Sequence, residues 1–165
     1  MKNASTLEST RIAFGQFATG VCIVTATDSG VSIGMTVSSF NSVSLDPPLV
    51  LWSVGRHAPE YTAFCRASHY AIHVLANDQV ALSNRFATPG IEKFEGIEVA
   101  ISEQGVPLLS GTVACFHCAA MHNYPAGDHN ILVGSVLLVD QTVSGVAPLL
   151  YYSSGYHDIG AQVNS

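Results

Sequence analysis

The chain has 165 residues, six basic and twelve acidic, giving a formal net charge of −6, with 48% apolar and 11% charged residues. The acidic balance excludes a nucleic-acid binder or a membrane-surface protein, both of which cluster positive charge on one face. The length suits a single domain over 1–165, and so few charges leave apolar surface for another subunit to cover, so a homodimer is the expected assembly.

No apolar run reaches membrane-spanning length, and the polar start Met1-Lys2-Asn3-Ala4-Ser5-Thr6-Leu7-Glu8 lacks the core of a signal peptide. A cytoplasmic location is expected, with Cys22, Cys65, Cys115 and Cys118 as reduced thiols. An opening helix is predicted from the capping box Ser5-x-x-Glu8, with Leu7, Ile12, Phe14 and Phe17 as its buried stripe and Gly20 as its end. Residues 21–27 are β-branched and read as a strand, turned by Asp28-Ser29-Gly30 into a second over 31–37. A third covers 40–44, stopped by Asp46-Pro47-Pro48, and 49–53 is a continuously apolar strand.

A short helix follows around 59–65, opened by Pro59, then a strand over 70–75. Asn77-Asp78-Gln79 opens a helix to about Phe86. Ile97, Val99 and Ile101 alternate with polar residues as in a half-buried strand. Residues 112–122 and 131–141 read as two long strands separated by 123–128, and 148–152 as a last one. Many antiparallel strands with few short helices point to a mainly β fold closed into a barrel.

Cys115-Phe116-His117-Cys118 superficially offers a zinc knuckle, but no second ligand pair follows. On a strand Cys115 and Cys118 face opposite sides, so both read as packing thiols and no metal is expected. No GxSxG or comparable triad signature supports covalent hydrolysis. His57, His69, His73, His117, His122 and His157 share no ligand spacing. His129 stands apart because it follows Gly127-Asp128 where a turn meets a strand; from context it is equally a functional residue or the neighbour of a turn-capping Asp128.

An anionic cofactor would find few cations, since Lys2, Lys93, Arg11, Arg56, Arg66 and Arg85 are the whole set. Hydroxyls and backbone amides would have to serve instead. Ser32, Thr36, Ser38, Ser39, Ser42 and Ser44 are concentrated around Gly34, which permits close backbone approach. From these residues alone an edge strand with a polar face is the stronger reading. No Walker loop or GxGxxG unit is present.

The same residues carry a family resemblance. Phe17-x-Thr19-Gly20-Val21, Gly34-Met35-Thr36-Val37-Ser38-Ser39-Phe40 and Ser42-Val43-Ser44-Leu45-Asp46-Pro47-Pro48-Leu49-Val50-Leu51 resemble the short-chain flavin reductases. Those proteins are the reductase components of two-component flavin monooxygenases. Val74-Leu75, Gln79-x-x-x-Ser83-x-Arg85-Phe86, Lys93-Phe94-x-Gly96, Gly127-Asp128-His129, Gly134-x-Val136 and Pro148-Leu149-Leu150-Tyr151-Tyr152 extend it in order over nearly the whole chain.

The resemblance implies an FMN-binding split β-barrel, antiparallel and Greek-key-like with a few flanking helices, usually a homodimer. It implies reduction of FMN or FAD by NADH or NADPH, with reduced flavin diffusing to a partner monooxygenase. The alternatives are a tightly held flavin serving another acceptor, or a flavin-binding module without turnover. By that similarity Gly34, Met35, Thr36, Val37, Ser38 and Ser39 line the ring and ribityl chain. Ser53, Val54 and Gly55 approach the phosphate end, and Ser83 and Arg85 lie on the matching helix, Arg85 as a phosphate contact. His129 stands where nicotinamide stacks, with Tyr152 nearby. The chain departs from the family's pattern at Ser38, often Asn or Gln, at Ser153, commonly Arg, and at His73, frequently Asn.

Overall fold

A curled antiparallel sheet organises the computed structural model, which describes residues 4–141 and 145–163. Its seven strands run in the order β3-β2-β6-β9-β10-β5-β4. They are β2 (Cys22–Asp28), β3 (Val31–Val37), β4 (Asn41–Leu45), β5 (Pro48–Gly55), β6 (His69–Val74), β9 (Ala114–Ala126) and β10 (His129–Gln141). A smaller sheet joins β1 (Thr19–Gly20), β11 (Leu150–Tyr152) and β12 (Gly155–His157), and β7 (Val99–Ile101) pairs with β8 (Pro107–Leu109). Three helices flank them: α1 (Ala4–Phe14), α2 (Tyr61–Arg66) and α3 (Val80–Ala87).

β2 is buried on both faces from Cys22 to Ala26, which is why its apolar and β-branched residues run on without a polar alternation. Inside the curl, Val24, Trp52, Val54, Phe64, Tyr70, Ile72 and Leu132 form the main core. Trp52 meets Phe64 and Tyr70 edge-on, with ring centroids at 5.0 and 5.7 Å, the arrangement that aromatic quadrupoles favour. Outside it, Val21, Ile23, Leu75, Phe86, Leu109 and Leu149 pack α3 and the smaller strands against the sheet. Gly134 is required by the inner packing, because a Cβ there would stand 2.2 Å from the Tyr70 hydroxyl.

The mainly β expectation holds, with several local differences. The strand ladder is not zipped shut among the described residues: β3 and β4, consecutive in the chain, are its two edges. Gly20 does not end the first helix; α1 stops at Phe14, and Gly20 pairs with Leu150 in β1. The apolar residues of α1 and its exit are not buried within the chain: Leu7, Ile12, Phe14 and Phe17 are 55–77% exposed. The side chain of Ser5, and with it the capping box, lies outside the described residues.

Residues 123–126 are not a loop, since β9 and β10 continue as one hairpin to a turn at Gly127-Asp128. Beyond Ala119, β9 has left its ladder with β6, so Pro125 falls on an edge where its missing N–H costs nothing. The three-residue strands β8 and β12 were too short to show a period.

His73, a departure without consequence in the sequence, has one here. It is fully buried, its Nδ1 donates to the Ile23 carbonyl at 3.1 Å, and its Nε2 accepts from the Leu109 amide at 3.1 Å. That ties β8 to β2 through β6. Burial pushes its pKa down to about 4, outweighing the Ile23 hydrogen bond, so it is neutral in the fold. The unfolded chain therefore binds the extra proton between about pH 6.5 and 4, and stability falls as pH drops through that window. The expected loss is about 3 kcal/mol. Urea unfolding of wild type and His73→Asn across that range should give the variant a shallower decline; parallel declines would refute the assignment.

Candidate active site

Where the sheet stays open, a cleft of about 480 Å³ runs between β3 and the neighbouring ends of β5 and β10. Met35, Thr36, Val37, Ser38 and Ser39 line it from β3 and its exit, and Ser53, Gly55 and His129 from the end of β5 and the start of β10, with Ala58 completing it. The opposing sides meet at one point. The Ser53 amide donates to Ser39 Oγ at 2.9 Å, and the Ser39 hydroxyl reaches the Ser53 carbonyl at 3.3 Å. This side-chain stitch stands where a backbone ladder would otherwise close the sheet.

His129 sits at the mouth, half exposed, with Nδ1 2.7 Å from Asp128 Oδ1. Its Nε2 lies over Gly55, at 3.5 Å from the position a Cβ would take. The hydrogen bond from His129, then its charge, holds the Asp128 carboxyl below its usual range. An ionised carboxylate only accepts, so the proton belongs on Nδ1, and Nε2 is left for the cleft. The next residue, Asn130, is buried and accepts from Arg56 Nε at 3.2 Å and the Tyr61 hydroxyl at 3.0 Å. That network fixes the root of β10 directly behind His129.

Two further hollows share the β3 segment. One of about 170 Å³ is lined by Thr36, Val37, Ser38, Ser83, Tyr151 and Tyr156, among others. The other, about 310 Å³, includes Met35, Thr36, His57, Ala58, Glu60 and Lys93. Thr36 itself is committed to α3, its hydroxyl donating to the Ser83 carbonyl at 2.7 Å. The Ser83 hydroxyl pairs with that of Tyr156 at 2.9 Å.

Eight of the residues singled out in the sequence thus share one cleft, and five do not line it. Gly34 faces α3 rather than the opening: a Cβ there would be 2.5 Å from Phe86 Cε1, so its missing side chain serves helix packing. Val54 is fully buried in the inner core, as strand alternation between Ser53 and Gly55 requires. Ser83 lines the neighbouring hollow. The Tyr152 hydroxyl donates to Gln16 Oε1 at 2.9 Å, and Tyr151, one residue earlier, faces that hollow instead.

Arg85, expected as a phosphate contact, is bonded to backbone carbonyls of the segment after α3. Its Nε donates to the Lys93 carbonyl at 2.8 Å, and Nη2 to the carbonyls of Glu92, at 3.0 Å, and Glu95. The guanidinium thereby shapes the segment that carries Lys93. Lys93 Nζ in turn reaches Glu60 Oε1 at 2.6 Å and the Gly34 carbonyl at 3.0 Å. Neither Glu60 nor Ala58 carried a signal in the sequence, and Lys93 appeared only as part of a motif. Arg66 is paired with Asp28, its Nε donating to Oδ1 at 2.9 Å. Cys115 and Cys118 do face opposite sides of β9, packing in the outer and inner clusters respectively.

The Lys93–Glu60 pair is nearly buried, with 8% and 15% side-chain exposure. Removing one partner from such a pair leaves a charge without compensation, whereas an apolar pair is tolerated. Glu60→Ala should therefore cost about 3 kcal/mol in denaturant unfolding, and Glu60→Met with Lys93→Met should recover most of it. An additive double variant would contradict this coupling.

The family model of the flavin reductase like domain matches residues 14–160. The chain is 51% identical over 129 residues to an FMN reductase (NADH), SmoA, of Agrobacterium fabrum, covering 78% of this chain and 74% of that protein. It is 42% identical to the reductase component of a flavin-dependent trigonelline monooxygenase of Acinetobacter baylyi over 94% of this chain, spanning 50% of that protein's length. The solved NADH:FAD oxidoreductase of Streptomyces globisporus, in complex with NAD and FAD fragments, superposes with a TM-score of 0.90 at 31% identity over 99% of both chains.

Proposed function

The chain belongs to the flavin reductase family, and from that premise we propose that its cleft binds FMN or FAD for reduction by NADH or NADPH. Reduced flavin then leaves for a partner monooxygenase. The observation that carries this reading is the open cleft itself, walled by hydroxyl-bearing and apolar residues of β3 and β5 with the fixed imidazole of His129 at its mouth.

The donor set fits a ring with a polar edge. Ser38, Ser53 and the unladdered edge of β3 offer polar groups, while Met35, Val37 and Ala58 supply apolar contact. It fits a phosphate less well, because among the described residues Lys93, Arg66 and Arg85 are engaged elsewhere. Weak anchoring of the phosphate favours a flavin that exchanges as substrate.

When bound, flavin and nicotinamide supply the redox chemistry, passage of a hydride from one ring to the other. The protein's part is alignment. Val37 and Met35 give the slot an apolar lining, and the Ser39–Ser53 stitch keeps its two sides at fixed separation. Asp128 orients His129 so that Nε2 is presented over Gly55, where it can accept a hydrogen bond from an amide or, when protonated, donate one. His129 is a positioning residue in this account, not an essential base.

The domain is proposed to span 1–165 and to work as a homodimer in the cytoplasm. The exposed apolar residues of α1 and its exit, Phe14 and Phe17 at 76% and 77%, support a covering partner subunit.

Purified protein mixed with NADH or NADPH, with FMN, FAD or neither, should consume nicotinamide only when flavin is added. No consumption with either flavin would refute the activity, and full activity without added flavin would refute exchange. His129→Ala should lower kcat/KM for the nicotinamide by about tenfold, equivalent to ~1.4 kcal/mol of transition-state stabilisation. Flavin affinity, followed by fluorescence quenching, should stay unchanged. Loss of flavin binding in that variant would misplace His129.

A further inference from the structure

On the outer face of the sheet, away from the cleft residues, β9 and β10 bring together three side chains of ligand type. Cys115 and His117 are two apart on β9 and so share a face. Asp140 of β10 stands directly opposite Cys115 in the ladder. His117 Nε2 lies 2.7 Å from Asp140 Oδ2, and the thiol, imidazole and carboxylate donor atoms all fall within 4.8 Å of one another.

We propose that Cys115, His117 and Asp140 form a binding site for a divalent transition-metal ion of the zinc type. The three donors supply sulfur, nitrogen and oxygen, a set that favours Zn²⁺ or Co²⁺ over the oxygen-seeking Mg²⁺ and Ca²⁺. Three protein ligands and one water make a four-coordinate site. Metal–ligand distances of about 2.0–2.3 Å put tetrahedral donors roughly 3.4–3.6 Å apart. The His117–Asp140 contact must open by less than an ångström, roughly, to reach that spacing. Asp140 can make this adjustment, because its side chain is 61% exposed whereas that of His117 is 10% exposed.

The sulfur donor lies on the buried side of the cluster. Cys115 is 6% exposed and packs with Ala71 and Val106, with Leu108 alongside. The exposed Asp140 carboxylate, directly opposite Cys115 in the ladder, supplies an anionic co-ligand for a dication lying between them. Such an ion would brace β9 against β10 between two register shifts and the hairpin's open end.

The test is titration of tag-free protein with Co²⁺. One equivalent per chain should develop a near-ultraviolet thiolate-to-cobalt band together with visible absorption of tetrahedral intensity. Zn²⁺ should abolish both by displacement and should raise the Tm of the apoprotein. Cys115→Ser should lose the near-ultraviolet band, and Asp140→Asn, at an exposed position that folding tolerates, should weaken Co²⁺ binding by roughly tenfold or more. Cys65→Ser, a thiol on α2, should change neither. The proposal is overturned if no thiolate band appears, or if the band and affinity survive Asp140→Asn. A bare His117–Asp140 ion pair gives the first of those results.

Discussion

The structure depends on a sheet that curls around its core but stops short of closing. A closed antiparallel ladder would satisfy every backbone group and leave no opening; here β3 and β4 remain edges although only three residues of chain, 38–40, connect them. The Ser39–Ser53 hydrogen bonds take the place of the missing ladder at one point. They hold the rims together without filling the space between them. The cleft is the part of the barrel that strand pairing does not occupy, and its lining is whatever β3, β5 and β10 present at their ends.

Keeping that rim in place falls to side chains rather than to backbone pairing. Phe86 packs into the space left by Gly34, Thr36 bonds to α3, and Lys93 joins the Gly34 carbonyl to Glu60 before α2. Arg85 supports this arrangement from behind by collecting three backbone carbonyls around Lys93. Two of the chain's six cations are thus spent on building the wall of the site. Neither is free to meet a phosphate, whereas Arg56, next to Gly55 of the cleft, is held by Asn130 at the cleft's end.

Much of this was legible in the sequence. The strands β2 and β3 carry strong β-branched patterning, and the Asp28-Ser29-Gly30 turn pins their pairing, so their bounds were found to within a residue. The hairpin end at Gly127-Asp128 was misjudged because Pro125 looks like a breaker. Only the departure of β6 from β9 after Ala119 makes that proline harmless. The apolar residues of α1 were expected inside because periodicity reports that a face wants cover, and cannot report whether the fold itself supplies it.

By itself the sequence determined the mainly β class and the family, and it singled out the segment 35–39 and His129, which line one cleft, because each is encoded locally or in ordered motifs. Tertiary structure decided which neighbours of those residues face the cleft. Gly34, Arg85 and Tyr152 belong to the motifs themselves and Val54 stands between two cleft residues, yet they point into packing, a supporting loop, α1's exit and the core. It also decided that Asp140 joins Cys115 and His117, since strand register sets that meeting across 23 residues of chain. A side chain's direction depends on strand alternation and on register with partners far away in sequence, and no local pattern carries either.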